Sequence, residues 1–266
     1  MTRRAAIVDL DGTVWRGETV IPGAAEGIDA LVDAGLAIRF VTNSTSVDRE
    51  AFPDTLESMG IPGDVGGIST AASATATYLA EHHPDAEVYV VGSDVLYDEI
   101  REAGLTVVSG RDPSSRPRDV PPADVVAAGK AYDIDFALLT ETLRAFDQGT
   151  LFVATNTDQT FPTEEGLKPG AGCTVGAIEG MTGRDPLVVG KPSEHMADAV
   201  TERLGVAPGE CLVVGDNLHT DILMGERAGM ETVLVLTGAT RREEIGGSGV
   251  EPDHVVDSLG DVAGIL

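Results

Sequence analysis

Ala5-Ala6-Ile7-Val8-Asp9-Leu10-Asp11-Gly12-Thr13-Val14 is the stretch on which the fold turns. Its first four residues are apolar and the run ends on an acid. That pattern predicts a buried strand, Ala5 to Asp9, with Asp9 at its carboxyl end and a turn at Asp11-Gly12. In an extended strand end, Asp9 and Asp11 point to the same side. Two carboxylates so close repel unless a cation lies between them or one holds a proton. A hard divalent ion such as Mg2+ takes oxygen ligands in octahedral geometry. Asp9, the backbone carbonyl of Asp11, a distant Asp and waters would satisfy it. The plainer reading is a strand followed by an ordinary Asp-Gly turn; the D-x-D-G-T pattern after an apolar strand favours chemistry.

Downstream, Pro22-Gly23 precedes a helical pattern from Ala24 to Ala34 that stops at Gly35. Leu36 to Val41 reads as a second strand, ending in Thr42-Asn43-Ser44, and a helix from Asp48 to Met59 stops at Gly60. Strand, helix, strand, helix implies a parallel sheet with right-handed crossovers. The tail repeats the pattern: strand Cys211 to Gly215, helix Thr220 to Ala228, strand Glu231 to Leu236 and a short last strand His254 to Val256. The fold class is therefore α/β with a Rossmann-like parallel sheet. Ligands in such sheets sit at the carboxyl ends of the strands, where Asp9, Thr42 and Asp216 all fall.

The middle of the chain has its own strands (Val88 to Val91, Asp124 to Ala128, Leu151 to Ala154). It also has its own helices (Val95 to Ala103, Phe136 to Phe146, Gly172 to Met181), and a helix from Ser69 to His82 leads into it. Arg111 to Pro122 is polar and proline-rich, an expected exposed loop. The division is residues 1–83 and 186–266 for one α/β domain and 84–185 for a second, inserted α/β domain.

Two further segments carry chemical groups. Thr42-Asn43-Ser44 offers a hydroxyl and backbone amides to a phosphate oxygen; the same residues also suit a helix cap or turn. Val188-Val189-Gly190-Lys191-Pro192 places one of only three lysines, the others being Lys130 and Lys168, after an apolar run. Near Asp9 it would neutralise an incoming phosphate; the alternative is a snorkelling surface lysine. In Val213-Val214-Gly215-Asp216-Asn217-Leu218-His219-Thr220-Asp221-Ile222, Asp216 at the strand end would be the third metal ligand. Asp221 stands at a helix start, where an acid is favoured in any case. It would support Lys191 or a metal-bound water. His219 is expected to be exposed, because a hard cation prefers oxygen.

Asp and Glu total 44 against 18 Lys and Arg, a formal net charge of −26 on 266 residues. The acids are scattered, which argues against nucleic-acid and anionic-membrane partners. A lysine-poor acidic surface fits molar salt, where the Debye length falls to about 3 Å; an ordinary acidic protein is the alternative. No apolar run approaches the roughly 20 residues that span a bilayer, and the N-terminus lacks a secretory pattern, so the expected location is cytoplasmic. Cys173 and Cys211 are expected to be free buried thiols.

The four segments, in this order, resemble the haloacid dehalogenase superfamily of aspartyl-phosphate phosphatases. Phe152-Val153-Ala154-Thr155-Asn156, Pro169-Gly170-Ala171-Gly172 and Val189-Gly190-Lys191-Pro192 are similar to its NagD-like (type IIA) subfamily. The resemblance implies a core with a large α/β cap inserted between the second and third motifs, where 84–185 lies. It implies Asp9 as the phosphorylated nucleophile and Asp11 as the acid that protonates the leaving alcohol and then activates water. Thr42, Asn43 and Lys191 would bind phosphate. Asp9, Asp11 through its carbonyl, and Asp216 would hold Mg2+, with Asp221 in support. Dehalogenases of the superfamily need neither the metal nor a leaving-group acid, so Asp11 argues for phosphoryl transfer. In the cap, the loop Asn156 to Pro162, with Asn156, Asp158 and Phe161, and the stretch Tyr132 to Phe136 are candidates for substrate contact.

The expected substrate is a small phosphate monoester: a nucleoside monophosphate, a sugar phosphate or 4-nitrophenyl phosphate. Phosphoglycolate and pyridoxal phosphate are alternatives. Some pyridoxal-phosphate phosphatases carry a histidine at the position of Phe161, which weighs against that one. Homodimerisation through the cap is a further expectation. A non-hydrolytic phospho-aspartate receiver module also combines acids, a threonine and a lysine. Its phosphoacceptor ends a later strand, however, and it lacks a hundred-residue insertion.

Overall fold

The computed structural model describes residues 2–108, 121–163 and 166–266. It divides into two compact units: Met1–Thr42, Asp48–Ser69 and Lys191–Leu266 form the first, Asn43–Val47 and Thr70–Gly190 the second.

The first unit is built on the strand Ala5–Asp9, buried at every position. It pairs in parallel with Cys211–Gly215 on one side, Ile7 opposite Val213, and with Ala37–Thr42 on the other, Asp9 opposite Val41. The six-stranded order is 254–256, 231–235, 211–215, 5–9, 37–42, 66–70. A central parallel strand is covered on both faces, so it reads as an unbroken apolar run rather than an alternation. Ile7 and Val8 are at most 1% exposed, and burying each such side chain contributes about 1.5–3 kcal/mol. Helix Ala24–Asp33 buries Ala24, Gly27, Ile28 and Leu31, a stripe at helical spacing. It packs on the terminal segment Leu259–Ile265. A Cβ on Gly27 would lie 2.3 Å from the Leu259 carbonyl oxygen, so only glycine permits that approach.

Three elements differ from expectation. The helix expected from Asp48 spans Phe52–Ser58. Pro53 is tolerated only in a first turn, and the Asp48 carboxylate accepts from the Glu50 N–H at 2.9 Å in a turn of its own. Strand Gly66–Thr70 was not anticipated, because Gly66-Gly67 dilutes the strand signal. Its glycines are required by proximity: a Cβ on Gly66 would meet the Ile38 carbonyl oxygen at 2.6 Å. The helix expected at Thr220–Ala228 opens with a π-turn, Leu218–Ile222, before α-helix Leu223–Ala228.

The second unit has its own parallel sheet, ordered 187–188, 151–154, 125–128, 87–91, 106–107. Tyr89, Val126, Phe152, Val175 and Ile178 fill its core. An antiparallel hairpin joins Thr160–Thr163 to Gly166–Pro169. Three of its helices start on side-chain caps: Thr70 and Ser73 form a reciprocal capping box for Ala71–His82, Ser93 caps Asp94–Glu102, and Asp135 caps Phe136–Arg144. The unit is wider than the expected 84–185, because helix Ala71–His82 packs on helix Asp94–Glu102. The pentapeptide Asn43–Val47 also belongs to it, fastened by Ser93 Oγ on the Thr45 carbonyl and Asn156 Nδ2 on the Asn43 carbonyl.

The expected loop Arg111 to Pro122 lies, apart from its last two residues, outside the described residues. Cys211 is buried but Cys173 is exposed, against expectation. Helix Ala171–Thr182 buries Ala171, Thr174, Val175 and Ile178 and turns Cys173 outward. Among the described residues, no helix is long and apolar enough to cross a membrane.

Candidate active site

At the carboxyl edge of the first unit's sheet, Asp9 ends one strand, Thr42 ends its neighbour, and Asp216 follows directly on Cys211–Gly215. All three are buried, with Thr42 2% exposed. Parallel strands leave their carbonyl ends on one edge, which brings residues separated by some two hundred positions together.

Lys191 ties the group together. Its ammonium, 4% exposed, donates to Asp9 Oδ1, to Asp221 Oδ1 at 2.6 Å and to the Val41 carbonyl at 3.4 Å. Carboxylate oxygens of Asp9, Asp216 and Asp221 lie within 4.8 Å of one another, and all three residues are buried. The π-turn positions Asp221. The N–H groups of Asp221 and Ile222 both donate to the Asn217 carbonyl, at 3.0 and 3.3 Å. The Asp221 carboxylate reaches back to accept the Asn217 N–H at 3.1 Å. Such an insertion in a helix re-aims one side chain, and π-turns are enriched at functional sites for that reason.

Glycines line the other side of Asp216. A Cβ on Gly12, whose φ is +93°, would lie 2.3 Å from Asp216 Oδ2, and one on Gly238 would lie 1.7 Å from it. The Ala239 N–H donates to that same oxygen, and Thr237 Oγ1 donates to the Gly12 carbonyl at 2.6 Å. Sequence reasoning missed Gly238 and Ala239. The signal was Thr237-Gly238 just past the carboxyl end of strand Glu231–Val235, the neighbour of the strand that leads into Asp216.

Electrostatics follow from burial. Three carboxylates and one ammonium leave two uncompensated negative charges if all ionise. Burial raises the Asp9 carboxyl well above its ordinary range; Lys191 opposes that rise, and Asp221 and Asp216 add to it. Asp216 is pushed up to about 7, by burial first and then by the charge of Asp221. Burial works against the charge on Lys191, but attraction to Asp221 and Asp9 outweighs it, and its pKa rises. A buried set of hard oxygen donors with excess negative charge is what a divalent cation such as Mg2+ neutralises. The residues present therefore fit one.

Asp11 stands apart from that cluster. The N–H groups of Thr13, Val14 and Trp15 all turn back to the Leu10 carbonyl, at 3.2, 2.8 and 3.1 Å. The chain thus leaves extended geometry immediately after Asp9, and the three acids whose oxygens gather within 4.8 Å of one another are Asp9, Asp216 and Asp221. Asp11 is exposed, and its Oδ1 accepts the indole N–H of Trp15 at 3.1 Å. His219 is exposed, as expected.

The remaining predicted residues belong to the second unit. Asn43 Nδ2 donates to Asp158 Oδ2 at 3.1 Å, Asn156 Nδ2 to the Asn43 carbonyl at 2.8 Å, and the Asp158 N–H to Asn156 Oδ1 at 3.1 Å. Asn43, Asn156 and Asp158 therefore form one network. Phe161 carries the Lys130 ammonium 4.3 Å from its ring centroid, and Tyr132 carries the same ammonium at 5.1 Å.

Comparison with known proteins agrees with this geometry. Residues 6–106 match the family of haloacid dehalogenase-like hydrolases, and residues 188–262 match a second, HAD-hydrolase-like family. The 5'-nucleotidase YutF of Bacillus subtilis is 36% identical over 97% of this chain and 96% of its own length. The solved p-nitrophenyl phosphatase from Archaeoglobus fulgidus superposes with a TM-score of 0.87 at 37% identity, covering 100% of both chains. NagD from E. coli K-12 does so with a TM-score of 0.86 at 30% identity, covering 98% of each. The chain belongs to the haloacid dehalogenase superfamily. Within that superfamily it is a phosphatase of the NagD-like kind, a phosphoric monoester hydrolase.

Proposed function

We propose that this protein hydrolyses small phosphate monoesters, nucleoside monophosphates and sugar phosphates among them, through a phosphorylated Asp9 and with Mg2+ as cofactor. The observation that carries the reading is the Lys191 ammonium bridging Asp9 and Asp221 inside a buried cluster with excess negative charge. The 5'-nucleotidase and the p-nitrophenyl phosphatase among its relatives support the substrate class.

A carboxylate oxygen of Asp9 attacks phosphorus, and the bond from phosphorus to the ester oxygen breaks. Asp11 gives its proton to the departing alkoxide. It then takes a proton from the water that attacks the phosphoaspartate, releasing inorganic phosphate and restoring Asp9. Two easier displacements replace one hard one. Burial favours the protonated, unreactive form of Asp9, and Lys191 counters it. Lys191 with Thr42 and Asn43 also neutralises and orients the phosphoryl oxygens. Bound by Asp9, the Asp11 carbonyl and Asp216, with Asp221 in support, Mg2+ would supply Lewis-acid stabilisation of the phosphoryl charge.

The second unit holds the place in the chain of a NagD-like cap, and Asn156, Asp158 and Phe161 are its candidates for selecting the leaving group. A homodimer through that unit belongs to the same reading, because Tyr132, Phe136 and Leu167 stand 70%, 88% and 73% exposed there. The net charge of −26 suits a cytoplasm rich in salt. Its melting temperature should then rise steadily between dilute and molar KCl.

A panel of phosphate esters assayed in molar KCl with and without Mg2+ tests the reading, alongside Asp9→Asn. The variant should fold and lose turnover. Hydrolysis by Asp9→Asn at near the parent rate would remove Asp9 as the nucleophile.

A further inference from the structure

The chain has a single tryptophan, and it stands four residues beyond Asp11. Trp15 is 6% exposed, yet its one polar atom is placed against an exposed acid: indole Nε1 donates to Asp11 Oδ1 at 3.1 Å. The placement is held from both ends. On the backbone side, the Gly12 N–H donates to the Trp15 carbonyl at 2.7 Å and the Trp15 N–H to the Leu10 carbonyl at 3.1 Å. A short antiparallel ladder then pairs Trp15 with Val20. On the ring side, the indole meets Phe52 edge-on at 6.2 Å and 60°, and Phe52 meets Phe40 at 5.3 Å and 65°. Phe40 lies in the sheet itself, opposite Val8 in the strand that ends at Asp9. Phe52, backed by Phe40, thus fixes the indole against the sheet that presents Asp9.

We propose that Trp15 is a positioning residue that aims the acid–base carboxyl of Asp11 at the leaving group. An indole nitrogen only donates, so a proton on Oδ1 would oppose the indole hydrogen. The transferable proton is therefore carried on Oδ2, and the carboxyl cannot swing freely although it faces solvent. Holding a group in attack geometry is a large part of proton-transfer catalysis. The inference rests on the acid–base reading of Asp11.

Leaving-group dependence tests it. 4-Nitrophenolate departs without a proton, whereas an alkoxide needs one, so only alkyl esters depend on the aim of Asp11 in the first step. With Trp15→Phe, kcat/KM for an alkyl phosphate should fall about tenfold and that for 4-nitrophenyl phosphate by no more than about twofold. An equal fall on both esters, or none on either, would overturn the proposal, since a merely structural role does not distinguish leaving groups. First-turnover release with Asp11→Asn separates the two claims. If Asp11→Asn fails to discriminate between the esters, the acid–base reading falls and the role of Trp15 with it. If it discriminates and Trp15→Phe does not, Trp15 alone is refuted. Should the phenylalanine variant fail to fold, replacing the tryptophan with benzothienylalanine keeps the ring and removes the N–H. Because the chain has one tryptophan, that replacement touches no other site, and the same selective loss is expected.

Discussion

Two lysines show what separates the two units. Lys191, in the first, is 4% exposed and held between two carboxylates. Lys130, in the second, is half-buried and rests on the faces of Phe161 and Tyr132. Among the described residues it has no carboxylate partner. The first environment raises the cost of every missing charge, because a buried carboxylate without its cation has no solvent to turn to. The second is soft: a cation over an exposed ring contributes only about 0.5–1 kcal/mol. On the proposed reading, chemistry that must not vary falls in the buried environment and recognition that can vary in the exposed one.

The largest expected effect breaks the first environment. Lys191→Met should abolish turnover and destabilise the fold by about 3–5 kcal/mol, read from urea unfolding; Mg2+ should recover part of that stability. An unfolding midpoint equal to the parent's would show that the ammonium is not needed to offset the acids. Next comes Gly238→Ala. The added methyl would meet Asp216 Oδ2 at 1.7 Å, so the carboxylate must move, and Mg2+ affinity by titration calorimetry should drop about 10–100-fold, as displaced support of a metal ligand typically does.

Lys130→Ala tests the second environment. It should change stability by less than about 1 kcal/mol and shift KM among phosphate esters by a few-fold, with kcat nearly constant. A fall in kcat matching that of Lys191→Met would erase the distinction between the units.

The smallest effect lies far from the catalytic edge. Hydrogen bonding to Arg3 is the main cause that depresses Glu231 from its ordinary 4.5 to about 2, with His254 adding to it against burial. A depressed carboxyl stabilises the fold fully above its unfolded value. That contribution is lost as pH falls from about 4.5 through about 2. Glu231→Gln should lower stability near neutrality and flatten the acid limb, so that the two profiles converge as pH falls through about 2.

Much of the first environment was legible in the sequence because its signals are local. An acid at the end of an apolar run, at Asp9 and at Asp216, states both a strand and its exposed end. A lysine in a chain with three of them invites a reason. What escaped depends on partners distant in the chain. Gly66-Gly67 hides a strand until Ile38 and Arg39 are seen pressing on it. Asp221 reads as a support for Lys191, but the π-turn that brings its carboxylate there is not legible. Asp11 reads as one half of a carboxylate pair, and only the turn back to Leu10 shows the indole of Trp15 bonded to its Oδ1. Of the second unit, the three central strands and the helices were readable from apolar runs and spacing; the short strands 106–107 and 187–188, the pair 160–163 and 166–169, and the membership of Asn43–Val47 were not. No five-residue stretch announces which body it will join.

That pentapeptide has a practical consequence. The chain passes between the two bodies at four places, after Thr42, Val47, Ser69 and Gly190. Exchanging the second body for that of a relative by swapping residues 70–190 alone would leave the pentapeptide foreign, with Asn43, Thr45 and Ser46 still drawn from the recipient. Transplanted selectivity should therefore be faithful only when both pieces travel together, and the short one is the piece an engineer would overlook.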